Sequence, residues 1–356
     1  MRIAIIGLPQ SGKTTLFDAI TGRRDEPGAY AAPGSLHVGV VPFLDGRVDH
    51  LAGILQPKKH IYASLEFVDI GGLFTGDKPV ADSVAAMRRA VALLIVVRAF
   101  ESEAIPHRRG AVNPKRDAEE IDGDLFVTDL DIIERRIEAL RDSVRHPTPK
   151  QEEERAELAL LERCRAQLDK VGSLDRLTLS DEERKALRGY TFLTQKPAVV
   201  ALNIGEGQIG QEAAGAAALG ERREPVLALC ADMEKELLAL EPEERRAFMA
   251  DLGIAELRVA KVVEAALEAI GLITFFTSNE KELRAWLLPR DSNAVEAAGK
   301  VHTDLARGFI RAEVVAANDL LALGSLKEVK AHGKLRLEGK DYVVQDGDVL
   351  QIRFSV

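Results

Sequence analysis

The sequence predicts an α/β protein with a parallel-type sheet, a helical insertion within it and a smaller α+β domain after it. Three observations carry this expectation. The stretch Gly7-Leu-Pro-Gln-Ser-Gly-Lys13-Thr14 has the spacing of a phosphate-binding loop and lies between an apolar run and a helical one. Short apolar runs then alternate with helical spacing over residues 1–124 and 189–272, the pattern of a parallel sheet covered on both faces. Residues 125–188 instead read as long helix, and 273–356 as short strands punctuated by turns.

Arg2 to Ile6 is an apolar strand ending at Gly7, and Lys13 to Thr21 places Leu16, Phe17 and Ile20 on one helix face with Gly22 as the stop. Residues 38–41, 65–69, 91–97, 197–202 and 225–230 supply the further strands of a core sheet. In the insertion, Leu130, Ile133, Ile137, Leu140 and Val144 repeat at 3-4-3-4 spacing, and Leu161, Cys164, Leu168 and Val171 at 3-4-3. Pro147 and Pro149 break the helix between them, so two antiparallel helices could zip as a coiled coil, although ordinary core spacing in a bundle produces the same stripes. Ser180-Asp-Glu-Glu183 is a capping box that opens a third helix. In the last 84 residues, strands are expected at 273–277, 285–288, 309–315, 342–344 and 349–354, with one helix over 295–301. This part is expected to fold as its own domain.

Composition narrows the function. Apolar residues make up 46% and charged residues 29%, enough for real cores and a wetted surface, which excludes a disordered or collagenous chain. The longest apolar run, 91–97, is far short of the roughly 20 residues needed to cross a bilayer, and the first residues lack the form of a signal peptide. No membrane partner and a cytoplasmic location are therefore expected. Two cysteines fit a reducing compartment, and the seven histidines show no pair at helical ligand spacing. Of the net charge of -9, residues 117–188 carry -7 and residues 273–356 carry none, so no basic patch offers bulk nucleic-acid binding.

The phosphate loop has a mechanism. The loop from Gly7 through Pro9, Gln10, Ser11 and Gly12 to Thr15 can curl around phosphates, presenting the backbone N–H groups of its residues other than Pro9, with Lys13 reaching the terminal phosphates and the Thr14 hydroxyl ligating magnesium. Asp69, at the end of the strand Leu65-Glu-Phe-Val-Asp69, can hold the same metal through a water. In Asp69-Ile-Gly-Gly72 the last glycine can sense a terminal phosphate. The guanine-reading Asn-Lys-x-Asp motif is absent. Asn203-Ile-Gly-Glu206 stands in its place, either as the base contact or simply as a polar turn at a strand end.

Together with the helical insertion, these motifs and the C-terminal stretches Glu282-Leu-Arg-Ala-Trp286, Ala298-Gly-Lys-Val-His-Thr303, Gly308-Phe-Ile-Arg-Ala312 and Gly339-Lys-Asp-Tyr-Val-Val-Gln-Asp-Gly-Asp348 resemble the Obg-like ATPases of the YchF type. The resemblance spans nearly the whole chain. It implies a translation-factor-type P-loop NTPase that prefers ATP to GTP, a coiled-coil insertion, a C-terminal TGS domain of ubiquitin-like topology, and association with ribosomes. It also implies base contacts by Asn203 and Glu206.

Three departures bear on the chemistry. The threonine expected of the first switch is missing from Tyr30-Ala-Ala-Pro-Gly-Ser35-Leu-His37, where Ser35 is the nearest hydroxyl. The second switch is shortened to Leu73-Phe-Thr-Gly-Asp-Lys78, and Gly205 stands where the family turn carries asparagine. Leu73 cannot orient a water, so intrinsic turnover is expected to be slow, on the order of 10⁻³ to 10⁻⁴ per second. No catalytic residue is assigned. The other readings are a GTP-binding translation-factor-type GTPase, set apart by relative ATP and GTP affinity, and a nucleotide-sensing adaptor, set apart by phosphate release.

Overall fold

The computed structural model describes residues 1–23, 36–71, 74–75, 78–146 and 149–355. Its strands are β1 (Arg2–Gly7), β2 (Leu36–Phe43), β3 (Lys59–Ile61), β4 (Ala63–Ile70), β5 (Phe74–Thr75), β6 (Lys78–Pro79), β7 (Ala92–Arg98), β8 (Ala198–Asn203), β9 (Val226–Leu229), β10 (Leu272–Ser278), β11 (Glu282–Pro289), β12 (Phe309–Ala316), β13 (Arg336–Glu338) and β14 (Asp348–Phe354). The chain divides into two compact units, residues 1–39 with 67–266 and residues 40–66 with 267–356.

The first sheet has the order β2-β4-β1-β7-β8-β9, and its pairs β1–β7, β7–β8 and β8–β9 are parallel. Its central strands are buried on both faces. All seven residues of β7 and the last five of β1 are inaccessible, which is why these strands read as continuous apolar runs rather than as alternation. Leu93, Ile95 and Val97 pack with Ala86 and Met87 of the helix Ala81–Arg89 and with Ala118, Ile121 and Leu125 of the helix Pro114–Ser143. Each large side chain removed from water here contributes about 1.5–3 kcal/mol.

The helical insertion starts earlier than its stripe of apolar residues. Pro114 stands at the first helical position and Asn113 caps the end by accepting from Arg116 N, so the helix begins well before residue 125. Its first turns therefore belong to the sheet core, and only later turns to the hairpin. There Ile133, Ile137 and Leu140 meet Leu161, Cys164 and Leu168 of the helix Gln151–Val171, as the spacing predicts, whereas Val171 is exposed. One seam position is polar. Asp129 is fully buried and accepts from Leu193 N, Thr194 N and Thr194 Oγ1 at 2.8–2.9 Å, tying the helix to the chain that re-enters the sheet at β8. Burial pushes its carboxyl above the usual range, against the pull of those three donors.

The second unit is built on a sheet of order β13-β12-β14-β10-β11-β3. β10–β11 and β12–β14 are antiparallel, while β10–β14 and β11–β3 are parallel. The helix Ala294–Val301, opened by a capping box between Asn293 and Glu296, lays Ala297 and Ala298 against Phe275, Leu288, Val314 and Leu350. Residues 342–344 form no strand beyond a single bridge from Val343 to Asn293.

The division read from sequence assigns residues 40–66 to the nucleotide domain, whereas the structure groups them with the C-terminal strands. The cause is specific pairing. Lys59, His60 and Ile61 of β3 align with Glu282, Leu283 and Arg284, and Arg47, at the start of the helix Gly46–Leu55, donates to Asp346 at 2.7 Å while lying over the Phe276 ring. Residues 273–356 therefore do not make up the whole of their own unit.

Candidate functional site

β1 delivers the chain into the phosphate loop at Gly7, where a Cβ would lie 2.4 Å from Val96 O and 2.8 Å from Ser11 Oγ. Only glycine fits against the neighbouring strand. Gln10 (φ 62°) and Gly12 (φ 90°) then adopt the left-handed conformation that turns successive backbone N–H groups toward a common concavity. The helix Lys13–Thr21 starts from Gly12 with no side-chain cap and no acidic residue in its first turn. Its first N–H groups and the positive end of its dipole are thus left to an anion. Pro9 and Gln10 are exposed, Thr14 and Thr15 half-buried, and Ser11 buried.

Lys13 is 8% exposed and donates to Leu8 O at 3.0 Å across the loop. Burial pulls its ammonium down to about 8, with the nearby Asp69 carboxylate acting in the other direction. Thr14 Oγ1 donates to Asp69 Oδ2 at 2.8 Å, which joins the start of the helix to the end of β4. The other oxygen, Asp69 Oδ1, is buried with no hydrogen-bond partner among the described residues. Burial raises the Asp69 carboxyl, while Thr14 and Lys13 oppose the shift. A hydroxyl and a carboxylate with one orphaned oxygen form an all-oxygen donor set, which suits a hard divalent cation such as magnesium. Gly72, Leu73 and residues 30–35 lie outside the described residues.

At the far side of the loop, Asn203 ends β8 and is 5% exposed. Its Nδ2 donates to Ser11 O at 3.0 Å and its Oδ1 accepts from Ala231 N at 3.1 Å. The side chain thus clamps the phosphate loop to the chain after β9. Glu206, by contrast, is exposed on the single turn Glu206–Gln208, and Gly205 N donates to Gln208 Oε1 at 2.8 Å.

Three participants carry no sequence motif. Arg98, Phe100 and the Cys230–Ala231 turn arrive from the ends of β7 and β9. The Phe100 ring lies 3.9 Å from the position of a Gly12 Cβ, and Phe100 Cβ lies 3.4 Å from that of a Gly205 Cβ. The Cys230 thiol is pushed up by burial. The available signal was positional, since ligands of open α/β sheets gather at the carboxyl ends of strands.

A family model described as 50S ribosome-binding GTPase matches residues 2–131, and the YchF-GTPase C-terminal model, described as a protein of unknown function, matches 272–355. The ribosome-binding ATPase YchF of Escherichia coli O157:H7 is 37% identical over 369 aligned positions, covering 100% of this chain and 99% of that protein. The chain belongs to the YchF family. The ribosome-binding ATPase YchF of Bacillus subtilis is 35% identical, covering 99% of this chain and 98% of that one. The solved structure of the Schizosaccharomyces pombe YchF GTPase matches with a TM-score of 0.83 at 25% identity, covering 99% and 97% of the two chains. The YchF fold thus extends over both units. Among the described residues no helix is long and apolar enough to cross a membrane.

Proposed function

We propose that this YchF-family chain is an ATP-preferring, ribosome-associated NTPase of the cytoplasm with slow intrinsic turnover. The observation that carries the reading is the phosphate loop itself. Its uncapped helix start, the Lys13 ammonium and the Thr14–Asp69 pair converge at the carboxyl end of β1. Lys13 and the loop N–H groups bind the phosphates, and Thr14 with Asp69 would hold magnesium. The bound ion would neutralise charge on the β- and γ-phosphates. Gly72 is assigned to the terminal phosphate by its place in the motif.

The preference for ATP rests on the turn at the end of β8. Each end of the Asn203 amide makes one hydrogen bond to the chain and keeps one donor and one acceptor position, so base selection rests on Asn203 together with the exposed Glu206. A carboxylate there accepts from the exocyclic amine of adenine, whereas guanine presents a carbonyl oxygen at that edge. Because Glu206 is exposed and water competes for it, the preference is that of one ordinary hydrogen bond, about 0.5–1.5 kcal/mol. Calorimetric titration of the chain with ATP and GTP in the presence of magnesium is expected to show tighter ATP binding. GTP binding as tight or tighter moves the protein to the GTPase reading.

Support for ribosome association comes from the named relatives and from the exposed Arg307 and Arg311 in the second unit. The full chain is expected to sediment with ribosomes in the presence of a non-hydrolysable ATP analogue. Charge reversal at Arg307 and Arg311 should release it. These substitutions are preferable to cutting the chain near Gly271, which would strip β3 and the helix Gly46–Leu55 of their partners.

A further inference from the structure

We propose that Arg98 is a positioning residue for the adenine face, acting through Phe100, an assignment that rests on the nucleotide reading above. Arg98 is the last residue of β7, opposite Asn203 in the parallel register with β8, and the next amide, Ala99 N, donates to Asn203 O at 2.7 Å. The strand end that holds the phosphate loop and the strand end that begins the next loop are therefore locked together. From this point the guanidinium folds back over its own loop. It lies 4.4 Å from the centre of the Phe100 ring, donates through Nε to Phe100 O at 3.0 Å, and donates through Nη2 to Ile105 O at 2.6 Å.

These contacts set both the backbone and the ring of Phe100. The ring is half-buried, with the guanidinium against it and its edge beside the phosphate loop at Gly12, while Phe100 Cα and Cβ lie beside Gly205 of the 203–206 turn. An aromatic face at the join between phosphate site and base turn is suited to stack a purine, and a cation over the ring fixes its tilt. Arg98 itself is 2% exposed, so it does not meet solvent. Its Nη1 has no hydrogen-bond partner among the described residues. A buried guanidinium with an unmade hydrogen bond is a poor solution for packing alone, since an apolar side chain of equal length would fill the space without that penalty. What the arginine adds is the rigid fork that holds two carbonyls five residues apart.

The far half of the loop has its own anchor. His107 Nε2 lies 2.9 Å from Asp117 Oδ2, and Arg116 donates to Asp117 Oδ1, both at the start of the helix Pro114–Ser143. Loss of Arg98 should therefore free Phe100 without unravelling the segment.

The test compares ligands with and without a base. Magnesium-ATP and magnesium-tripolyphosphate are titrated into the full chain and into Arg98→Met, Arg98→Lys, Phe100→Leu and the Arg98→Met/Phe100→Leu double variant. ATP affinity is expected to fall about tenfold in Arg98→Met and less in Arg98→Lys, which keeps a cation but loses the fork. Tripolyphosphate affinity is expected to stay within about twofold of the parent. The double variant should bind ATP no more weakly than Phe100→Leu, because Arg98 acts only through the ring. Equal losses for ATP and tripolyphosphate would show a general structural role and overturn the assignment, as would unchanged ATP affinity in Arg98→Met. Should Arg98→Met fail to fold, Arg98→Lys decides by the same ratio of ATP to tripolyphosphate affinity. If the parent chain binds neither ligand, the nucleotide reading itself fails.

Discussion

Lys13→Ala is expected to weaken ATP binding by about 100-fold or more while leaving the fold intact. A charge-assisted contact is worth about 1.5–3 kcal/mol, and Lys13 is placed to make more than one with the phosphates. The protein without nucleotide should not suffer from the change. Lys13 is buried against Leu8 O, and burial has already pulled its pKa down to about 8, a sign that the charged form is held at a cost. Removing the ammonium relieves that cost and gives up one hydrogen bond. Calorimetry with magnesium-ATP checks the affinity, and circular dichroism with thermal melting checks the fold. Unchanged ATP affinity in a folded variant would reduce the loop to a turn between strand and helix.

Asn203→Ala should have a large effect on stability, a loss of about 2–4 kcal/mol together with weaker ATP binding. Its amide satisfies Ser11 O and Ala231 N, groups that come from opposite sides of the site, and alanine leaves both without this partner. Each stranded buried group costs about 1–3 kcal/mol. Asn203→Asp keeps the acceptor for Ala231 N but sets a carboxylate oxygen against Ser11 O in a buried position, so it should destabilise at least as much as alanine. Gly12→Ala should resemble Asn203→Ala, because its Cβ would lie 2.1 Å from Asn203 Nδ2, at a backbone φ of 90° that already disfavours alanine. Urea unfolding followed by fluorescence measures the loss. If Asn203→Ala unfolds at the same urea concentration as the parent, the amide is not a clamp.

That clamp is where sequence reading and structure diverge most usefully. The tetrapeptide Asn203-Ile-Gly-Glu206 was legible as the turn after a late strand, and the structure places it there. Which group the Asn203 amide would meet was not legible, because Ser11 lies 192 residues away and Ala231 lies 28 away. The same holds for Asp129. Its spacing between Leu125 and Ile133 matches the helix seam, yet nothing local shows that a buried carboxylate there would find the amides of Leu193 and Thr194.

Sequence by itself determined the phosphate loop, the alternation that makes the first sheet parallel, and the stripes of the helical hairpin. Each is encoded locally: the glycines permit φ values that other residues resist, and a period of 2 or 3.6 decides which side chains share a face. Only the tertiary structure decided that residues 40–66 group with the C-terminal unit and that β3 joins its sheet, that the hairpin's first helix starts inside the core at Pro114, and that Arg98 and Phe100 lie beside the turn 203–206. β3 has three residues, too few to show a period, and Arg47 finds Asp346 across 299 positions. Such partners are chosen by which strand ends and helix starts are brought together when the sheets close. That choice depends on burying apolar faces and pairing buried polar groups over the whole chain, and no short window of sequence contains it.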